Sequence, residues 1–499
     1  MRWCRLAVTI KVPADARSQR NLCLAKVLRH NSFLLPGEEL MTKLCLGMCL
    51  LAATLAVSQT KKGTPAVSTA PAAAKICDDP YAVTTEAADG WPEGPIQILF
   101  HREKSKLPWS HNPAIRIAGL EATLPGKART VVCVEESRLE MGKYESGEPG
   151  YAPAWDVTLV RLPDRKVYFQ RGGFYGEMPP YIKYNRGAGV GKPPTEAFVR
   201  WMRLVFEQKA AHLKLRLKSK EYYEVSAMDF SADGSRLAVV QEPRSTSEGT
   251  KPTPVTVFDL ASGTPVAFMH VDFLVRELSL SKNGSTLALN RYGGIQIWDI
   301  ATQKLSRKLE TNNVESLMFG PDDRLAVAGK DSSAIWDITA NRALRNGKGS
   351  VVQLSSDGTW LVLSKAPKNC SVSELESGRE LGRFTCSPEH NQYAISGDGK
   401  SVIGSSILGA AIYTVGGPQT QYPSLPNLGV GTLSATAATR DGFIVANHDG
   451  IAGLVSLASP QARAFATDLS AIHAIAISRD GKLVALGDSE GHVEIWELQ

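Results

Sequence analysis

A tight-turn signal recurs seven times in the second half of the chain, and it constrains the fold more than any other feature. It reads SADG at 231, SKNG at 281, GPDD at 320, SSDG at 355, SGDG at 396, TRDG at 439 and SRDG at 478. Asp-Gly and Asn-Gly tolerate the positive φ angles that tight hairpins demand, so each signal marks a hairpin and not merely a loop. Short alternating strands flank each one, as in AIHAIAIS before SRDG and KLVALG after it. Such strands expose one apolar face and cannot bury it alone.

The second half of each unit carries another pattern. VTVFDLASGTPVAFM, IQIWDIATQKLSRKL, SAIWDITANRALRN and VEIWELQ each run an alternating strand into an aromatic-acidic pair. A hairpin signal returning every 35 to 50 residues or so has the period of propeller blades, whose sheets bury their faces against one another. Residues 224–499 resemble bacterial WD-repeat propellers on these residues: Trp298-Asp299 and Trp336-Asp337, with Phe258-Asp259 and Trp496-Glu497 as variants. The resemblance implies a seven-bladed β-propeller over about 211–499. The chain departs from the family in lacking the Gly-His pair that opens a repeat, and repeats four to six lack Trp-Asp. The last repeat stops at VEIWELQ, one strand short, so the alternating segment LKLRLK, Leu213 to Lys218, is expected to pair with the final strand. Continuation of the preceding helix through it is the alternative. The basic residues of KLRLKSK read as the outward side of an edge strand.

The net charge of +6 raises the question of nucleic acid, and its location answers it. Residues 1–40 hold seven Lys and Arg against three Asp and Glu, and Lys43 is the one charge from 41 to 60, leaving a near-neutral body without a basic stripe. Nucleic acid is therefore not expected as a ligand. The apolar run LCLGMCLLAATLAV at 44–57 follows Lys43 and ends in small residues, the pattern of a secretory signal over 41–58, and it is short for a membrane span. Met41 stands directly before it, after a GEEL that purine-rich, ribosome-binding codons can encode. We expect translation from Met41, with 1–40 a non-translated upstream extension, and a periplasmic or secreted bacterial protein with no integral membrane span once the signal is removed. Residues 59–75 read as a flexible linker.

A small α+β domain of unrecognised family is expected over about 76–210. TVVCVEE and WDVTLVRLPDRKVYFQ read as strands, the latter as two joined near Pro163-Asp164. In TEAFVRWMRLVFEQKAA the spacing of Phe198, Trp201, Met202 and Val205 is helical. Four cysteines follow the signal, which fits two disulfides in an exported chain. A hairpin centred near Gly378 sets Cys370 opposite Cys386, and Cys77 with Cys133 follows by elimination.

Chemistry is sparse. RGAGVGKPP at 186–194 mimics a phosphate loop but has Arg186 and Pro193 where Gly and Ser/Thr are required. No histidine or cysteine spacing suits a metal, no cofactor motif occurs, and Glu135-Glu136 point to opposite strand faces. We expect no catalytic residue. Arg291 and Tyr292 in NRYGG are the candidate partner-binding residues, being types enriched at interface hot spots, and the first repeat expands QEPRSTSEGTKPTP, 241–254, at the same end. The expected function is an exported scaffold mediating protein–protein interaction in the cell envelope. The alternative is a propeller enzyme or a sugar- or peptide-binding protein, which requires polar or acidic residues converging on the central channel.

Overall fold

The computed structural model describes residues 76–77 and 92–499, except for 104–107, 113–114, 123–126, 144–146, 163, 178–188, 208–210, 218–222, 243–251, 292–293, 312–313, 321, 330–331, 349, 356–358, 367–368, 388–391, 407–408, 418, 423–432, 440–441 and 458. The expected start at Met41, the signal, the linker and Tyr292 lie outside the described residues.

The amino-terminal part is a mixed sheet packed with a helix, α1 (Thr195–Glu207). Its strands are β1 (Ile96–Arg102), β2 (Thr130–Lys143), β3 (Pro149–Arg161), β4 (Val167–Tyr175) and β5 (Gly189–Val190), in the order β1-β2-β3-β4, with β5 beside β3. β1 and β2 are parallel and the β2-β3-β4 ladder is antiparallel. Gly189 and Val190 of the phosphate-loop mimic thus form a short strand. Cys77 is bonded to Cys133 on β2, the pairing expected from the sequence, within a core of Leu99, Trp109, Val131 and Val160.

Helix α1 (Thr195–Glu207) has the amphipathic face that its spacing predicts, with Phe198, Trp201, Met202 and Val205 fully buried. Phe198 meets Trp155 and Phe174 edge to face, a favoured aromatic arrangement. The same core continues into the carboxy-terminal half, through Phe443, Val445, Ile451, Val455 and Ala466. Trp201 makes the junction polar as well as apolar, its Nε1–H donating to the Thr467 carbonyl at 2.8 Å. One core therefore spans both halves.

Residues 224–498 form seven antiparallel four-stranded sheets among the described residues, covering 224–271, 278–309, 314–348, 350–384, 392–422, 433–466 and 472–498. Each of the first six is a simple meander. The seventh has three strands of its own and takes its fourth from β6 (Ala211–Leu217), which pairs antiparallel with Val493–Leu498. The pairing expected of LKLRLK is present. The first strands, Glu224–Phe230, Leu278–Leu280, Val314–Phe319, Ser350–Leu354, Gln392–Ile395, Leu433–Ala438 and Ile472–Ile477, touch in that order, and the last touches the first.

The turn signals act through one repeated device. Ser231, Ser281, Ser355, Ser396 and Ser478 each accept the N–H of the residue five positions on at 2.9–3.0 Å. The Ser231, Ser396 and Ser478 hydroxyls donate to the Asp two positions on at 2.6–2.7 Å. Gly234, Gly284, Gly399 and Gly481 supply φ near +70°. The acid of the aromatic-acidic pair caps the next turn: Asp259 accepts from Ser262, Asp299 from Thr302 and Asp337 from the Ala340 N–H. The aromatics differ in depth. Phe258 and Trp496 are fully buried, whereas Trp298 and Trp336 are partly buried against the cores of their sheets.

Outer strands are interrupted opposite these aromatics. Register shifts fall at Val266, Ser306, Leu344 and Lys214, and sheet four has the same shift at Leu381 opposite Ser373, a placement that blunts a free edge. Arg216 departs from the edge-lysine reading of KLRLKSK. It pairs with Glu494 at 3.0 Å and Asp468 at 3.6 Å, because the ladder sets Arg216 directly opposite Glu494. Cys370 and Cys386 are joined across their hairpin, with Gly378 at φ +69° in the turn.

Candidate functional site

Every sheet has two ends. One carries the short Asp-Gly hairpins; the other carries the loops between second and third strands and the links between sheets. Arg291 closes the second strand of the second sheet at this loop end. Its guanidinium lies 5.4 Å from the ring of Phe273, in the link from the first sheet, so it stacks on an aromatic instead of extending into solvent. Residues 243–251 of the first-sheet insertion lie outside the described residues.

The loop end also gathers charges that motif reading did not find. Glu224 opens the first strand of the first sheet and Glu242 ends the second, directly opposite it. Two carboxylates in register repel. Burial first and Glu224 second raise the Glu242 carboxyl above the ordinary range. His473 is the extra residue where the register shifts between Ile472 and Ala474, so a bulge aims it, and its Nδ1 lies 3.1 Å from Glu224 Oε1. His448, in the loop after the second strand of sheet six, stands edge-on to His473 with centroids 5.1 Å apart. Burial, then His473, lowers the His448 pKa. Asp449 beside it reaches Arg200 of α1 at 4.0 Å.

A second group lies further along the first strands. Asp229 Oδ2 accepts from the Ser279 hydroxyl at 2.8 Å and the Leu280 N–H at 2.9 Å, and Ser279 Oγ accepts the Phe319 N–H at 3.0 Å. Arg479 of sheet seven donates to the Phe319 carbonyl at 3.0 Å, so these bonds tie sheets seven, one, two and three together. Glu277, two residues before Ser279, is nearer the loop end. Burial pushes Asp229 up to about 7, with its hydrogen bonds and Arg479 opposing. Burial, and then the charge of Asp229, pushes Glu277 up to about 8.

Asp229, Glu277, Glu224, Glu242 and His473 thus lie on or beside the inner strands of neighbouring sheets, with two carboxyls able to exchange protons near neutrality. The arrangement suits a cationic group, which would favour their ionised forms. No group of three or more His, Cys, Asp or Glu among the described residues has the geometry of a metal site. A signal for Asp229 was present in the sequence: aligning repeats on their turns puts Ser279, Met318, Gln353, Ala394, Ala437 and Ala476 at its position. Glu135 and Glu136 are used locally, the former 3.7 Å from His101 and the latter bonded to Arg102 and Trp155. No known family model matches the chain, and no curated protein is significantly similar to it.

Proposed function

We propose that residues 211–499 are a WD-repeat-like seven-bladed β-propeller behind a small α+β domain, and that the protein is an exported, non-catalytic scaffold binding partner proteins in the bacterial envelope. The observation that carries this reading is the asymmetry of the sheets' two ends. One end carries the same serine-capped hairpin in five of the seven sheets, while the other holds loops of unequal length, the placement expected where a rigid scaffold presents variable recognition elements. The circuit of first-strand contacts and the strand contributed by β6 support a closed ring. Two disulfides and the absence of a long apolar helix among the described residues are compatible with an extracytoplasmic location. The signal at 41–58 is testable by the intact mass of natural protein.

The scaffold reading is tested by placing a photo-crosslinking residue at position 291 or 245, and separately at 282 on the hairpin end, in the native envelope. A protein captured reproducibly from the loop end but not from the hairpin end supports it. Equal capture from both ends rejects it.

A second reading, a ligand held in the channel, draws on Asp229, Glu277, Glu224 and Glu242. Small amines and basic peptides that raise the melting temperature of the wild type but not of Glu277→Gln would favour it.

A further inference from the structure

We propose that two copies of this chain pair through the edge of β2 that is left open among the described residues, antiparallel and centred on Leu139. β1 covers β2 only as far as Glu136, where Arg102 lies in register and the Glu103 N–H closes onto the Glu136 carbonyl at 2.8 Å. Beyond that point β2 continues to Lys143, bonded among the described residues to β3 alone, with residues 138–143 exposed. An uncovered strand presents unmet N–H and C=O groups to any strand that reaches it. The Glu136 carbonyl points at this edge, so by alternation the backbone groups of Arg138 and Glu140 point there too.

The side chains select the occupant and the register. Leu139, 46% exposed, extends from one face of the strand, with Arg138 and Glu140 on the other, and Met141, 41% exposed, is the extra residue at the register shift. Among the described residues, no ion pair joins Arg138 or Glu140 to another side chain. Antiparallel strands exchange paired bonds between residues that both aim backbone groups at the shared edge. Pairing Arg138 with its own copy sets two guanidiniums together and needs the Glu136 carbonyl, which Glu103 already occupies. Pairing Glu140 with its own copy sets two carboxylates together. Placing Arg138 opposite the second copy's Glu140 makes four backbone bonds and two cross-strand ion pairs. It also brings Leu139 against Leu139 at the close, non-hydrogen-bonded site, about 4.5 Å between Cα atoms. The contact is two-fold and self-complementary, so it closes at a dimer. The register shift between Glu140 and Gly142 ends the ladder and bends each tip away from the other copy's β1.

Disulfide trapping in the full mature chain tests this, since the expected Cα spacing at Leu139 suits a disulfide. Leu139→Cys should give a covalent dimer on mild oxidation. Ser137→Cys should stay monomeric alone, because in this register it does not meet its own copy. Arg138→Glu added to Leu139→Cys should slow trapping about tenfold, and Glu140→Arg on top should restore it. All these positions except the partly exposed Ser137 are solvent-exposed, and unchanged melting temperatures would verify that folding is intact. The proposal is overturned if Leu139→Cys stays monomeric with a reactive thiol, if Ser137→Cys alone crosslinks as fast, or if charge reversal has no effect.

Discussion

The guanidinium of Arg216 lies 3.0 Å from Glu494 Oε1 and joins strands 278 residues apart in sequence. Glu494 is almost wholly buried and also accepts the Trp496 Nε1–H at 3.1 Å. Although burial pulls the Arg216 pKa down, the Glu494 and Asp468 charges prevail and raise it. Removing one partner strands a buried charge, so Arg216→Ala should cost about 3–5 kcal/mol in denaturant unfolding. Replacing both partners with methionine should cost much less, and equal losses would count against a charge-specific role.

Trp201 should be the most sensitive residue of α1. Trp201→Phe keeps most of the apolar volume but leaves the buried Thr467 carbonyl without its donor, for a loss of about 1–3 kcal/mol. Trp201→Ala should cost about 3–5 kcal/mol. In the repeats, Trp496→Ala should exceed Trp298→Ala, because Trp496 is fully buried and Trp298 only partly. Thermal melts of the four variants check the order.

Asp229 and Glu277 make stability fall with rising pH. Their folded pKa values, about 7 and about 8, lie above the ordinary carboxyl values of 3.8 and 4.5, so the folded state holds protons that the unfolded state has lost. Their contribution is complete below about pH 4 and is lost as pH climbs through 7 to 8. Melting temperature should therefore decline from pH 6 to 9, and Glu277→Gln should flatten that decline. An unchanged slope in the variant would exclude Glu277 as a source.

Asp488 and His492 should act in the opposite sense at one end of the range. The Gly491-His492 pair does not open a repeat; His492 Nδ1 instead lies 3.1 Å from the fully buried Asp488, which also accepts from Ser470. The bond from Asp488 raises His492 above its ordinary 6.5 despite burial, so its stabilisation is full below 6.5 and lost as pH rises through the raised value. Burial alone would raise Asp488, but the bonds from His492 lower it below 3.8. Its share is present above that value and lost as pH falls through the lowered one. The stability gap between wild type and His492→Gln should be widest from about pH 4 to 6.5.

Replacing Cys370 and Cys386 by serine should cost about 3 kcal/mol, and replacing Cys77 and Cys133 about 4 kcal/mol, because the second bridge closes the longer loop in the unfolded chain. Denaturation with and without reductant measures both.

The local grammar of this chain was legible. Asp-Gly turns, the 3.6 spacing of Phe198, Trp201, Met202 and Val205, and the alternation of Leu213 to Leu217 depend on neighbours a few residues away, and the structure has each element. Asp229 was legible in principle, but only by comparing one position across seven repeats. Arg291 was singled out by residue type, whereas its stacking on Phe273 depends on a link from another sheet. Glu224, Glu242, His448 and His473 belong to no motif. Their strands meet only when the first strand of sheet seven touches that of sheet one.

The sequence by itself determined which segments are strands, where they turn, which face of α1 is apolar and which cysteines can meet, because periodicity, turn chemistry and spacing are short-range properties. Tertiary structure alone decided that α1 shares a core with sheet six, that Arg216 is paired with a buried glutamate, and that the charge of Asp229 acts on Glu277. Those outcomes depend on contacts between residues tens to hundreds of positions apart, where burial and charge act through distance in space and leave no periodic trace along the chain.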